Sequence, residues 1–259
     1  MRRIRVPGVC FIKEHGEACS RDWQRLRSFT ELVDQVPGLV TARPLWHDRG
    51  SGQIGYQWLD NLAPCWEVID ARWFASFGGL LAQLQQLKPR DLPADLLLCG
   101  AHPVDFPGVD HRDALLLTHA TPQGWFHGDL WMGNVAACPS GEVALLDPIP
   151  SPWLFNTGHC IAPGALDAAM FHMSLYFSHP LWRTLRGMPL KLVDAGHAFL
   201  EGYLNELSAK SARPSMLRLS AALASRYVSL YSQRLRWPVA TLKRLAAQRL
   251  SSKLKENLT

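Results

Sequence analysis

The sequence predicts an α+β fold in two lobes, a small antiparallel sheet lobe over residues 1–60 and a larger, mainly helical lobe over 61–259. Three observations carry this expectation. The first sixty residues alternate short strand-like runs with one helical stretch. From about Gly164 onward, most segments repeat apolar residues at three- and four-residue intervals. Between these regions, a polar loop at 127–134 precedes two short apolar runs that read as a hairpin.

Taken in order, Arg3 to Val6 supplies a first short strand, and Pro7-Gly8 reads as the turn into a second, Val9 to Lys13 (VCFIK). SRDWQRLRSFTELVDQV, from Ser20 to Val36, has helical periodicity behind a serine cap. LVTARPLW and QIGYQWL read as two further strands joined by the turn DRGSG. WEVIDARWFASFGGLLAQLQQL, from Trp66 to Leu87, has the recurrence of a long buried helix. A passage containing Pro89, Pro93, Pro103 and Pro107 follows, and HRDALLLTHA then leads into the 127–134 loop. Helical periodicity returns in ALDAAMFHMSLYF, LVDAGHAFLEGYLNEL, SMLRLSAALASRYVSLYSQRL and VATLKRLAAQRLSSKLK.

The loop itself is HGDLWMGN, and the pair Asp147-Pro148 follows it in LLDP. Asp129 and Asn134 are five residues apart. That is the interval of an H-x-D-x-x-x-x-N loop, in which the acid faces an acceptor hydroxyl and the amide turns to a metal; His127 supplies the first letter. The intervening VAACPSGEVALL reads as two strands around a Pro-Ser-Gly turn, a hairpin that returns Asp147 beside Asn134. Two hard oxygen ligands from separate segments suit Mg²⁺, which binds few protein groups and otherwise keeps water and substrate phosphates. A single acid in a polar turn is ordinarily a turn former. The set is not explained that way, because turn formation does not require His, Asp, Asn and Asp at these separations. The chemistry it fits is phosphoryl transfer, whose minimum kit is a carboxylate to orient the attacking hydroxyl and oxygen ligands for magnesium.

HGDLWMGN, the hairpin and LLDP together resemble the signature of the aminoglycoside phosphotransferase and fructosamine kinase (ketosamine kinase) superfamily, which has a protein-kinase-like fold. Trp131 after HGDL is most similar to the fructosamine kinase branch. The resemblance implies an ATP-dependent enzyme acting on a small-molecule hydroxyl acceptor of sugar, amino sugar or ketosamine type. It implies Asp129 and His127 in the catalytic loop, with Asp129 as base, and Asn134 and Asp147 as Mg²⁺ ligands. Asp167 matches the family's acid at the start of the next helix, although IPSPWLFNTGHCIAPGAL makes the approach to it longer than in the family. The order of elements then places Lys13 on the nucleotide phosphates, with Glu31 as its helix partner and Asp34 as a competitor for that role. The same order makes the backbone from Trp58 and Leu59 to Asn61 the hinge against adenine.

Only twelve residues precede Lys13, and no glycine-rich loop fits among them. A reduced nucleotide lid, a chain that starts downstream of its true beginning, and lost nucleotide binding all fit this feature. A catalytically impaired pseudokinase or nucleotide-binding module is therefore an alternative. A protein kinase is a further one, opposed by the absence of an A-P-E segment.

With 259 residues, 47% hydrophobic and 19% charged, the chain can bury a substantial core. No apolar run reaches the roughly 18–20 residues of a membrane span, and the short VPGVCFI after MRRIR is not a secretory signal. Six cysteines without a CxxC pair fit a reduced, cytoplasmic protein. Residues 182–259 carry 14 Lys or Arg against 4 Asp or Glu, whereas residues 1–181 carry 13 against 18. The basic residues interleave with leucine at helical spacing, so they read as the wet face of amphipathic helices and no nucleic-acid partner is expected. With few acids where the family binds its acceptor, charge complementarity favours a neutral or anionic hydroxyl compound over a polycationic one.

Overall fold

A computed structural model of the chain describes residues 3–6, 10–68, 70–88, 106, 108–149, 160–177 and 190–232. The first sheet comprises β1 (Arg3–Val6), β2 (Cys10–Glu14), β4 (Pro44–Asp48) and β5 (Gln53–Gln57) in the order β1-β2-β5-β4, all antiparallel. Helix α1 (Cys19–Val33) follows β2 through a single 3₁₀ turn at Gly16–Ala18. Ser20 lies inside α1 and does not cap it; the residue ahead of the helix is Ala18, and the 3₁₀ turn takes the place of a side-chain cap. The turn at 48–52 folds back onto this junction, where Gly52 O accepts from His15 N (2.7 Å) and Gly16 N (3.1 Å).

The run expected as one strand, LVTARPLW, divides. β3 (Leu39–Thr41) leaves the first sheet and pairs in parallel with β9 (Val143–Leu145), and Thr41 Oγ1 donates to Leu145 O at 2.7 Å. Thr41 and Leu39 are buried while β4 is largely exposed, so burial separates the two halves of the run. The second sheet has the order β3-β9-β8-β6, with β6 at Ala63–Pro64 and β8 at Val135–Ala137. It thus joins residues from the first sixty to the hairpin that ends in Asp147.

The long helix expected from Trp66 is shorter than that. A 3₁₀ turn covers Cys65–Glu67, and α2 runs from Ala71 to Gln86, started by Asp70 whose carboxylate accepts from Arg72 N at 2.9 Å. Helix α3 (His111–Ala120) is capped in the same way by Asp110 on Asp113 N at 2.8 Å. Strands β7 (Gln123–Trp125) and β10 (Ile161–Pro163) form an antiparallel pair, and α4 (Ala165–Phe177), α5 (Leu190–Glu206) and α6 (Arg213–Ser232) complete the helical part. The proline-rich passage, the segment 150–159, Pro7-Gly8 and the helix expected at 239–255 lie outside the described residues.

The main core is helical and aromatic. Phe74 and Phe77 of α2 meet Phe171 of α4 and Phe199 of α5, with Phe77–Phe171 centroids 4.9 Å apart and edge-on. Helices α2 and α5 approach so closely that a Cβ on Gly202 would lie 1.9 Å from Ala75 O, and one on Gly78 2.1 Å from Phe199 O. A smaller cluster of Cys19, Leu26, Ala42, Ile54 and Tyr56 holds α1 against the first sheet. No described helix is long and apolar enough to cross a membrane. The five described cysteines are free thiols.

Candidate active site

The polar loop begins where β7 ends. Phe126 N donates to Cys160 O at 2.7 Å, after which the chain turns at Gly128 with φ near +74°, a left-handed conformation glycine adopts without strain. This turn is fixed from below. Asp167, wholly buried in the first turn of α4, accepts His127 N at 2.7 Å and Gly128 N at 2.9 Å, one on each carboxylate oxygen. Its carboxylate thus spans two elements rather than capping its own helix. Met132 N is taken by Ser174 Oγ at 2.8 Å, a second anchor from the same helix.

Within the loop, Asn134 is the joint. Its Nδ2 donates to Asp129 O (2.9 Å) and to Asp129 Oδ2 (3.0 Å), so its own Oδ1 is left as an acceptor. The hairpin expected at 135–145 forms, with Val135 opposite Leu145 and a turn closed by Gly141 N on Cys138 O at 2.9 Å. It returns the chain so that Leu146 N donates to Asn134 O at 2.9 Å. Asp147 follows in a left-handed conformation, φ near +59°, a region that Asp and Asn tolerate better than most residues. Asp129, Asn134 and Asp147 are thereby brought together as expected from their spacing.

Lys13 and Glu31 are not brought together. Lys13 is buried and its ammonium forms an ion pair with Asp147 across 134 residues of sequence. Glu31 lies on the exposed side of α1, 3.9 Å from Arg27, and Asp34 pairs with Arg43 at the surface. The reason is helical phase: Asp22, Arg25, Leu26, Phe29, Leu32 and Val33 form the buried stripe of α1, and position 31 is off it. His127 sits between the loop and the hairpin. It is buried; Leu146 O can only accept, so Nε2 carries the proton (3.0 Å), and Nδ1 accepts from Asp129 N (3.3 Å). Both ring nitrogens are committed and burial pushes the imidazole pKa down to about 3, so His127 is a neutral brace between loop and hairpin, not a proton carrier.

Residues that the sequence did not single out complete the frame. Arg25, buried in α1, donates through Nε to Pro148 O (2.9 Å) and through Nη2 to Phe126 O (2.6 Å). One guanidinium therefore ties α1 to both halves of the site, and burial lowers its pKa to about 10. Their signal was available in the apolar phase of α1, which places positions 22 and 25 on the face of Leu26 and Phe29. Asp167 is matched only through the family resemblance, since its contacts come from a close approach of two distant segments.

A cavity of about 570 Å³ opens beside this frame, in the usual range for small ligands. Lys13, Asn134 and Asp147 stand at its polar side; Phe11, Ala42, Trp58, Leu59 and Leu146 form apolar walls. Trp58 and Leu59, the expected hinge residues, thus line this cavity. Burial raises the Asp129 carboxyl to about 7; the nearby Asp147 charge adds to this, and the Asn134 hydrogen bond and Lys13 oppose it. A carboxyl so placed titrates near neutral pH, where a general base is most effective. Among the described residues, no group of three His, Cys, Asp or Glu forms a metal cage. The fit is instead to an ion that takes few protein ligands: Asn134 Oδ1 and the Asp147 carboxylate are hard oxygens on facing segments.

No family model and no curated protein matches the chain. Solved structures do. A glucosamine kinase in complex with glucosamine, ADP and inorganic phosphate aligns over 99% of this chain and 80% of its own, at 16% identity and a TM-score of 0.62. A choline/ethanolamine kinase family protein from Mesorhizobium loti aligns over 98% of this chain and 83% of its own, at 12% identity and a TM-score of 0.56. The choline kinase LicA from Streptococcus pneumoniae aligns over 98% and 89%, at 12% identity and a TM-score of 0.51. At such identities the likeness is one of fold. The chain therefore has an α+β, two-lobe, kinase-like fold similar to that of these small-molecule kinases.

Proposed function

We propose that this protein transfers the γ-phosphoryl group of ATP to a hydroxyl of a small molecule, of sugar, amino sugar or ketosamine type. The observation that carries the reading is the Asn134 amide, bonded to Asp129 on one side and joined through its backbone to the Asp147 hairpin on the other. A candidate base and two candidate metal ligands are rigidly related by these bonds, as in-line transfer requires. Asp129 would orient the acceptor hydroxyl and take its proton as the new P–O bond forms and the bond to the β-phosphate oxygen breaks, releasing ADP. Asn134 and Asp147 would hold Mg²⁺, which neutralises charge on the phosphates.

Lys13 would leave Asp147 for the phosphates when nucleotide enters, because an ammonium paired with one carboxylate gains more from several phosphate oxygens. Phe11, Leu59 and Leu146 offer the apolar walls a base needs, with Trp58 at the same rim. The acceptor would approach Asp129 from the side of Trp131, whose indole is exposed and lies over Gly133. The low acid content after residue 181 favours a neutral or anionic hydroxyl compound.

The test is ATP consumption by purified protein with Mg²⁺ against a panel of sugars, amino sugars and glycated amines, alongside Asp129→Ala. Turnover with at least one acceptor, lost in the variant while Mg·ATP still binds, supports the reading. Mg·ATP binding with no turnover on any acceptor would reassign the protein as a nucleotide-binding module.

A further inference from the structure

The first lobe contains a buried polar chain that the reading above does not use. Tyr56 Oη lies 2.7 Å from His15 Nε2, and His15 Nδ1 lies 2.8 Å from Asp22 Oδ2. The His15 and Asp22 side chains are only 2% and 10% exposed. The direction of the chain follows from donors and acceptors. An ionised carboxylate only accepts, so Nδ1–H donates to Asp22, which leaves Nε2 as the ring nitrogen facing the Tyr56 hydroxyl, able to accept its hydrogen bond whenever Nε2 carries no proton. Its far end is at the nucleotide cavity: Tyr56 lines that cavity, stacks on Phe11 at 4.8 Å and 6°, and its hydroxyl pKa is raised by burial and by the neighbouring Asp147 charge.

The placement of these residues is built from both sides. His15 is held through its backbone by Gly52 O, and a Cβ on Gly52 would lie 2.7 Å from Gly16 Cα, so the turn and the His15 segment are in contact. Asp22 comes from the buried stripe of α1. Tying a helix to a sheet does not need a carboxylate, an imidazole and a phenol; apolar packing does it without the desolvation cost of burying polar groups. In a kinase, the corresponding helix-to-strand link is an acid pairing with the phosphate-binding lysine, and here Glu31 is at the surface while Lys13 rests on Asp147.

We propose that Asp22 and His15 orient Tyr56 as a nucleotide-positioning residue. With its hydroxyl hydrogen bonded to His15, the Tyr56 oxygen turns its lone pairs to the cavity that Lys13 also lines, so it accepts a hydrogen bond from the lysine ammonium or from a donor group of the nucleotide. Asp22, reached through His15, thereby takes over the work of the helix acid. The inference rests on the ATP site proposed above, and the experiment separates the two.

The Kd for Mg·ATP is measured by calorimetry on the full chain for wild type, Tyr56→Phe, His15→Gln and the double variant, with thermal unfolding recorded without nucleotide. Each single variant should raise the Kd by roughly fivefold to tenfold, the worth of one hydrogen bond. The double variant should be no worse than the weaker-binding single, because both break one chain. A purely structural role would lower the unfolding midpoint and leave the Kd unchanged. Tyr56→Phe removes one oxygen atom and keeps the ring stack, so it decides the matter even if His15→Gln does not fold. Wild-type affinity in Tyr56→Phe overturns the inference alone, whereas absence of Mg·ATP binding by the wild type overturns it together with the ATP site.

Discussion

Replacing Asp147 with Asn isolates the charge on which the site turns. The left-handed backbone is kept, since Asn tolerates φ near +59°. The main-chain bonds Leu146 N to Asn134 O (2.9 Å) and Ile149 N to Asp147 O (2.7 Å) do not involve the side chain. What disappears is the partner of the Lys13 ammonium. Breaking a fully buried pair costs about 3–5 kcal/mol, and a surface pair is worth about 0–1 kcal/mol. Here the side chains are 7% and 28% exposed, so the loss lies between, near 2 kcal/mol. Removing Asp147 also relieves its repulsion of Asp129, which offsets part of that loss. The net expectation is a nucleotide-free protein less stable by about 1–2 kcal/mol, or roughly 2–8 °C for a chain of this size.

The second half of the same experiment adds ligand. At a hundredfold excess over Kd, Mg·ATP stabilises the wild type by about 2.7 kcal/mol. Asp147→Asn should lose most of that gain, and replacing Mg²⁺ by EDTA should remove the corresponding part from the wild type. Thermal and urea unfolding with and without ligand measure both. A variant as stable as wild type, with the same magnesium-dependent gain, would refute the placing of Lys13 and metal on Asp147.

Three further outcomes follow from the frame. Asp167→Asn puts an NH₂ against one of two buried backbone N–H groups, so urea unfolding should register a loss of about 2–3 kcal/mol; a change below about 0.5 kcal/mol is incompatible with the brace. Gly202→Ala gains about 1 kcal/mol of helix propensity, but its Cβ would meet Ala75 O at 1.9 Å, and overpacking should leave it less stable by about 2 kcal/mol in thermal melts. His172 is wholly buried beside Ser220 (3.0 Å), and burial, then the charges of His197 and Arg213, push its pKa down to about 3. Because the unfolded histidine titrates near 6.5, this group's contribution is complete above that pH and declines by about 1.4 kcal/mol per unit below it. The stability advantage of wild type over His172→Gln should therefore shrink by about 2 kcal/mol between pH 6.5 and pH 5; a constant difference contradicts a neutral buried ring.

The parts of the fold legible in the sequence are those fixed by local rules. The hairpin between Asn134 and Asp147 is written in two short apolar runs and a Pro-Ser-Gly turn, and it returns the chain to Asn134 as those runs predict. The lysine strand and its order before α1 were legible for the same reason. What was not legible depends on three-dimensional approach. Leu39–Thr41 looked like the start of a longer strand because its residues have strand character; its partner, Val143–Leu145, is a hundred residues away. Asp167 is matched by the family resemblance, but its two backbone contacts appear only when the loop carrying His127 and Gly128 descends on it. Glu31 was chosen by order along the chain, whereas helical phase selects Asp22 and Arg25. His127 reads in sequence as the first letter of the loop motif, and its bracing contacts become visible only in the fold, where Leu146 O and Asp129 N fix its tautomer.

The most direct test of the central claim follows the labelled γ-phosphoryl group from ATP to acceptor in wild type and in Asp129→Asn. Asn can keep the hydrogen bond that Asn134 Nδ2 makes to position 129, so the frame stays and only the base is lost. The account predicts that the wild type labels the acceptor, and that kcat of the variant at saturating Mg·ATP falls by about 10²- to 10⁴-fold with the Kd for Mg·ATP within about threefold. Equal turnover by the two proteins would contradict it.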